Sequence, residues 1–309
     1  MAGLFGSTTT NAQKRAAFRA SLESSELTKL PGAFNPLTAR LIQDIGGFEG
    51  VYISGAVLAN DLGLPDIGLT TLTEVAQRAG QIARVTDLPV LVDADTGFGE
   101  PMSAARTIAT LEDAGLAGCH LEDQVNPKRC GHLDGKEVVP TDLMVRRIAA
   151  AVNERRDENF IICARTDAAG IHGIDEAIER AKAYAGAGAD MIFTEALYTE
   201  EDFEKFRAAV DIPLLANMTE FGKTKLLSAQ QIQDLGYNAV IWPVSTFRVA
   251  MGATEEFLRD MQTDGLQSEE WLERMQHRSR LYELVRYEEY NDFDQSVFTY
   301  SQDTYKPTF

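Results

Sequence analysis

The chain repeats one local pattern about eight times: a short apolar run, then a stretch with helical spacing. The apolar runs occupy residues 29–34, 51–54, 89–93, 118–122, 160–166, 191–195, 213–217 and 239–243. Most are rich in β-formers and almost continuously apolar, as parallel strands covered on both faces must be. Between them, residues 36–45, 72–84, 104–114, 141–155, 174–187, 200–210 and 229–235 carry helix-like spacing. Thr71 with Glu74 three positions on is a capping box that opens the second of these. Strands alternating with helices require a parallel sheet with right-handed crossovers. Eight such units predict an α/β fold, a closed (β/α)8 TIM barrel; an open doubly wound sheet is the alternative.

The polar residues help choose between them. Five of the apolar runs end in, or just beyond, a chemically useful side chain: Asp93 with Asp95, Glu122, Arg165, Glu195 and Asn217. A barrel gathers these ends at one mouth, where barrel enzymes carry their sites, whereas an open sheet spreads them along an edge. The expected organisation is one catalytic barrel domain over residues 1–309. It comprises an N-terminal helical arm (1–26), the barrel (27–244), and C-terminal helices and tail (245–309), with 293–309 read as an extended tail.

Composition narrows the class of function. The chain has 29 Lys+Arg against 47 Asp+Glu, a formal net charge of −18. A phosphate backbone must be met by a basic face, so nucleic acid is not an expected partner. No apolar stretch approaches the ~20 residues of a membrane helix, and the first residues lack the layout of a secretory leader. Cys119, Cys130 and Cys163 stand at unrelated spacings that suit neither a disulfide framework nor a zinc site. These features predict a soluble cytoplasmic protein acting on a small molecule. An anionic ligand would need a local reversal of the global charge.

Three constellations carry chemistry. In Leu91-Val-Asp93-Ala-Asp95-Thr-Gly97-Phe-Gly99, a spacing of two puts both carboxylates on one side of an extended chain. A pair of hard oxygen donors suits Mg2+, which needs only one or two carboxylates besides water and substrate; helix capping or a solvated strand end is the bland alternative. The loop after Glu122 holds Lys128-Arg-Cys130-Gly131-His132 and, further on, Gly135-Lys136. Cations around Cys130 favour its thiolate, so the thiol can give or take a proton near neutrality; a nucleophilic or an incidental cysteine are the rivals. Cys119 and Cys163 lie inside apolar strands and read as core residues. Arg165, at the end of its strand, offers a planar fork for a carboxylate, or an ion pair with Glu122 or Glu195, or both. Arg248 follows the last strand, while Arg278 reads, on spacing alone, as a solvated helix residue. His120 shares strand parity with Glu122 and reads as a satisfied core histidine; His172 and His277 read as surface residues.

In these residues the chain resembles the isocitrate lyase / phosphoenolpyruvate mutase superfamily, and within it the branch that cleaves 2-methylisocitrate. The resemblance runs from Pro31-Gly-Ala-Phe-Asn to about Arg278. It rests on Val51-Tyr-Ile-Ser54-Gly55, Leu62-Gly-Leu-Pro-Asp66, Val92-Asp-Ala-Asp-Thr-Gly-Phe-Gly99, His120-Leu-Glu-Asp-Gln124, Lys128-Arg-Cys-Gly-His132, Ala164-Arg-Thr-Asp167 and Asn217-Met-Thr-Glu220. It implies a barrel whose last helix is exchanged between subunits, in a homotetramer built as a dimer of helix-swapped dimers. It implies Mg2+ on Asp93 and Asp95, with Glu122 in the water-mediated shell. Ser54, Gly55, Ala56, Gly131, Arg165, Glu195, Asn217, Met218, Thr219, Arg248 and Arg278 would line a tricarboxylate pocket, which replaces the spacing-only view of Arg278. The implied reaction is a retro-aldol cleavage to pyruvate and succinate in propionate catabolism. Cys130 would be the general acid, with His132 and Arg165 assisting and Tyr52 or a metal-bound hydroxide as base. Isocitrate lyase is the nearest alternative, since it shares the metal acids and the cysteine loop. It typically carries a bulky Trp where this chain has Ala56. A non-catalytic tricarboxylate-binding barrel is the alternative from another class.

Overall fold

The computed structural model describes residue 4, residues 6–129, residue 131 and residues 135–298. Its elements run α1 (Asn11–Leu22), β1 (Thr28–Pro31), α2 (Pro36–Ile45), β2 (Val51–Ile53), α3 (Gly55–Asp61), α4 (Leu72–Val85), β3 (Val90–Asp93), α5 (Pro101–Asp113), β4 (Gly118–Glu122), α6 (Thr141–Glu154), β5 (Ile161–Thr166), α7 (Ala169–His172), α8 (Ile174–Gly186), β6 (Met191–Thr194), α9 (Glu200–Ala209), β7 (Leu214–Asn217), α10 (Ala229–Asp234) and β8 (Ala239–Trp242). Then follow α11 (Ser245–Asp264), α12 (Glu269–Arg274), α13 (Arg278–Leu284) and α14 (Tyr287–Phe298). Two compact units result: Thr9–Phe247, and Arg248–Phe309 with Met1–Thr8 so far as these are described.

All neighbouring strands pair in parallel, in the order β1-β8-β7-β6-β5-β4-β3-β2. The ring closes between β1 and β2, where Gly32 bridges Tyr52 and the Ala33 N–H donates to the Tyr52 carbonyl at 2.9 Å. Strand alternation then divides the apolar residues into two layers. Leu30, Tyr52, Leu91, Ile161, Cys163, Met191, Phe193, Leu215, Ala239 and Ile241 fill the barrel interior. Their neighbours, such as Val51, Ile53, Val92, Ile162, Ile192 and Val240, pack against the helices. The capping box at Thr71 and Glu74 starts α4 as expected.

The N-terminal arm is helical as expected, and the structure adds what it does. The N-terminal segment is a structural floor: Phe18 and Leu22 of α1 join the interior cluster. Arg15 donates to the carbonyls of Leu116 and Glu112, and Arg19 to Glu158 and Asp190. Asn238 in turn donates to the Leu22 carbonyl. Leu116, Glu158, Asp190 and Asn238 all precede strands, so α1 lies across the N-terminal ends of the barrel and leaves the opposite end for chemistry. A departure from expectation lies at the end of the chain, where residues expected as extended continue α14 as far as Phe298; residues 299–309 lie outside the described residues. Within the second unit, Trp271 donates to Asp260 at 2.8 Å, meets Phe257 edge-on and carries Arg274 over its ring.

Truncating the floor should be costly. Phe18→Ala removes a fully buried ring and is expected to lower unfolding free energy by about 3–5 kcal/mol. Urea denaturation measures this; a change below 1 kcal/mol, by the same scale, would show that α1 is dispensable to the barrel.

Candidate active site

The C-terminal strand ends bring the predicted side chains together because they share one parity. Asp93, Glu122 and Arg165 stand on adjacent strands, with Asp93 paired in register to His120 and Glu122 to Arg165. Glu195 follows just past the end of β6, and Asn217 ends β7. Asp93 accepts from the Gly55 N–H at 3.2 Å and from the Asp95 N–H at 2.9 Å. A Cβ on Gly55 would lie 2.8 Å from Asp93 Oδ2, so only glycine lets the first turn of α3 come this close. Ser54 is the N-cap of α3, with Gly55 and Ala56 in its first turn.

Crowding separates the two aspartates. His120, Lys128 and Arg165 hold the Asp93 carboxyl below its ordinary value despite burial. Burial and the charge of Asp93 push Asp95 up to about 6. Burial also drives Glu122 well above the usual carboxylate range. Lys128, almost wholly buried, meets this charge with its ammonium 2.8 Å from Asp95 Oδ1 and in contact with Asp66. Oε1 of Glu122 and Oδ1 of Asn217 are buried and make no hydrogen bond. Among the described residues, no three His, Cys, Asp or Glu side chains form a complete metal cage. The aspartate pair, with the unpartnered Glu122 oxygen on the next strand, nevertheless fits a hard divalent cation that takes its other ligands from water and substrate.

Arg165 anchors the other half of the mouth. Its Nε lies 2.9 Å from Asp167 Oδ2 and 3.4 Å from Glu122, and its Nη2 lies 3.4 Å from Glu195. The ion pairs foreseen with Glu122 and Glu195 are present, but the shortest is with Asp167, which the sequence reading quoted without a role. The guanidinium also sits over the Phe193 ring at 5.0 Å. Asn217 donates to Glu195 at 3.3 Å. Below them, Tyr52 and His120 are hydrogen-bonded at 2.7 Å, and His120 Nδ1 lies 3.6 Å from Asp93. Burial lowers the His120 pKa to about 4, which keeps it neutral, and raises that of Tyr52 well above an ordinary phenol.

The loop after β4 is pinned at its stems. Val125 N–H donates to the Glu137 carbonyl and Val139 N–H to that of Asp123, both at 2.8 Å. Arg180 and Tyr184 of α8 both bond the Asp123 carboxylate, and Arg180 also bonds the Val139 carbonyl. Gly131 packs so tightly on the mouth that a Cβ would stand 2.4 Å from Glu195 Cγ and 2.5 Å from Arg165 Nη2. Cys130 and His132 lie outside the described residues. Met218 turns its thioether into the helix-facing core, where it accepts from the Leu227 N–H, while Thr219 is buried beside it in sequence. Arg248 and Arg278 belong to the second unit, Arg278 as the first residue of α13. Cys119 and Cys163 are buried free thiols, His172 is exposed, and exposed His277 caps α13.

Sequence comparison places this site in a known setting. The family model described as phosphoenolpyruvate phosphomutase matches residues 18–262. The chain belongs to the PEP mutase/isocitrate lyase family. It is 74% identical over 309 residues, the full length of both chains, to a Corynebacterium glutamicum protein named probable 2-methylisocitrate lyase 2. It is 46% identical to the 2-methylisocitrate lyase of Aeropyrum pernix over 90% of this chain and 89% of that one. Among solved structures, 2,3-dimethylmalate lyase superimposes with a TM-score of 0.85 at 32% identity, covering 97% of this chain and 99% of that one. A phosphonopyruvate hydrolase complex with oxalate and Mg2+ gives 0.82 at 29% identity, covering 91% and 98%. No helix among the described residues is long and apolar enough to cross a membrane.

The raised Glu122 carboxyl has a pH signature. With its folded pKa above the unfolded one, the folded chain holds a proton that the unfolded chain releases, so stability falls as pH rises from the ordinary glutamate range towards the raised value. In chelator, Glu122→Gln is expected to flatten the loss of stability as pH rises above the ordinary glutamate range. Urea midpoints across that rise measure it, and an unchanged slope would count against a buried, proton-holding Glu122.

Proposed function

We propose that this protein is a Mg2+-dependent carbon–carbon lyase that splits 2-methylisocitrate into pyruvate and succinate. The assignment is carried by relatives named 2-methylisocitrate lyase that match nearly the whole chain at 74% and 46% identity. Asp93 and Asp95 would hold the cation, with Glu122 reaching it through water; the hard oxygen donors and the orphan oxygen of Glu122 support this. When bound, the cation supplies Lewis-acid stabilisation of the charge that develops at the 2-hydroxy-acid end of the substrate.

The chain's own groups supply the rest. Arg165, already fixed by Asp167, presents its fork to a substrate carboxylate and stabilises charge gathering on the succinate half. The substrate hydroxyl gives its proton to a base drawn from solvent, its oxygen forms the pyruvate carbonyl as the electron pair of the breaking C–C bond passes to the succinate carbon, and the Cys130 thiol protonates that carbon. His132 stands two residues from Cys130 and is assigned to assist it. The raised phenol of Tyr52 favours a hydrogen-bond donor over a resting base. Ser54, Gly55, Ala56, Gly131, Glu195, Asn217 and Thr219 complete the assigned pocket on the barrel, and the small Ala56 leaves room for the substrate methyl group. The same reading places the enzyme in the cytoplasm as a helix-swapped homotetramer. Exposed Val249, Met251 and Leu258 on α11 suit a subunit interface.

Two measurements test this. Purified protein with Mg2+ should release pyruvate from 2-methylisocitrate and stop in chelator, whereas equal or faster glyoxylate release from isocitrate would reassign it as an isocitrate lyase. Cys130→Ser should bind substrate within about threefold of wild type yet lose at least about 100-fold in kcat, the scale of a lost general acid. Near-normal turnover would remove Cys130 from the mechanism.

A further inference from the structure

We propose that Lys136 is a positioning residue that latches the Cys130-bearing loop onto the barrel mouth; this rests on the lyase reading above. Lys136 lies five residues beyond Gly131 and its side chain is 4% exposed. Its ammonium donates to the Gly131 carbonyl and, at 2.8 Å, to Asp167 Oδ1. Asp167 is itself immobile: it is fully buried, its N–H donates to Asp123 at 2.9 Å, and its two oxygens accept from Arg165 at 2.9 and 3.2 Å. One carboxylate therefore sets both the guanidinium assigned to substrate and the ammonium that grips the loop.

The need for such a grip follows from Gly131. Contact with Arg165 and Glu195 leaves no space for a Cβ, so the position must be glycine. Glycine brings no side-chain contact and the greatest freedom to leave its conformation. A charged hydrogen bond to its carbonyl compensates, since a bond to an ionised donor is about twice as strong as a neutral one. Lys136 thus holds the residue next to Cys130 in one place relative to Arg165, and a misplacement of about 1 Å in such a site costs on the order of 100-fold in rate.

The test compares Lys136→Met and Lys136→Arg with wild type by steady-state kinetics and by alkylation of Cys130 with iodoacetamide, followed by peptide mass spectrometry. Buried Cys119 and Cys163 serve as unreactive internal controls. Lys136→Met is expected to lose about 10- to 100-fold in kcat. Its dissociation constant for 2-methylisocitrate, measured on the Cys130→Ser background, should change by less than about threefold. Cys130 should alkylate faster than in wild type, and Lys136→Arg should restore part of the turnover and part of the slow wild-type alkylation. Unchanged kcat together with unchanged alkylation overturns the proposal, as does failure of both variants to fold, which would make Lys136 a stability residue. If wild type released no pyruvate, the lyase reading would fail while the alkylation rates still decided whether the latch exists.

Discussion

Three buried carboxylates, Glu122, Asp167 and Glu195, lean on the guanidinium of Arg165, and the mouth of the barrel depends on that cluster. Moving any of these ions out of water costs several kcal/mol, and only close, well-oriented partners offset it. The shortest contacts of Arg165 go to Asp167, two residues on and just past the end of β5, which fixes the direction of the fork. The longer contacts to Glu122 and Glu195 leave that fork available to a ligand. Position is therefore secured on one side of the guanidinium and chemistry is left to the other.

The same balance explains the aspartate end. Asp93, with His120, Lys128 and Arg165 nearby, keeps its charge, while Asp95 beside it is raised. A site of this kind is short of positive charge despite Lys128, and a divalent cation is the simplest remedy. The chain's overall −18 does not prevent an anionic substrate from binding, because the field that matters is set within one mouth by a few cations held at short range.

Much of this architecture was legible in the sequence. Apolar runs bounded by helix-like spacing located all eight strands to within a few residues, since parallel strands buried on both faces leave an unmistakable pattern. Strand parity put Asp93, Glu122 and Arg165 on one side, and spacing by two joined Asp93 to Asp95. What was not legible depended on contacts between distant segments. Lys128 reads as one of several loop cations, yet it is buried against Asp66 and Asp95 from other loops. Lys136 and Asp167 were visible only as neighbours of named motifs. Met218, assigned to the pocket, sends its side chain into the outer core because it lies one residue past Asn217 and so has the opposite parity. The N-terminal helix carries no local sign that it floors the barrel; that role lies in its bonds to Leu116, Glu158, Asp190 and Asn238.

By itself, the sequence determined the repeating unit, the class of fold and the residue types offered at the strand ends, because periodicity and strand parity are local properties of the backbone. Tertiary structure alone decided which charges meet. Pairing β1 with β8, Thr28 against Ala239, brings strands far apart in the chain into one circle, and burial there makes each carboxylate's proton depend on its neighbours. Asp167 could become the shared anchor of Arg165 and Lys136 only once the loop had folded back over β5, since an ion pair across 31 residues is a property of distance in space.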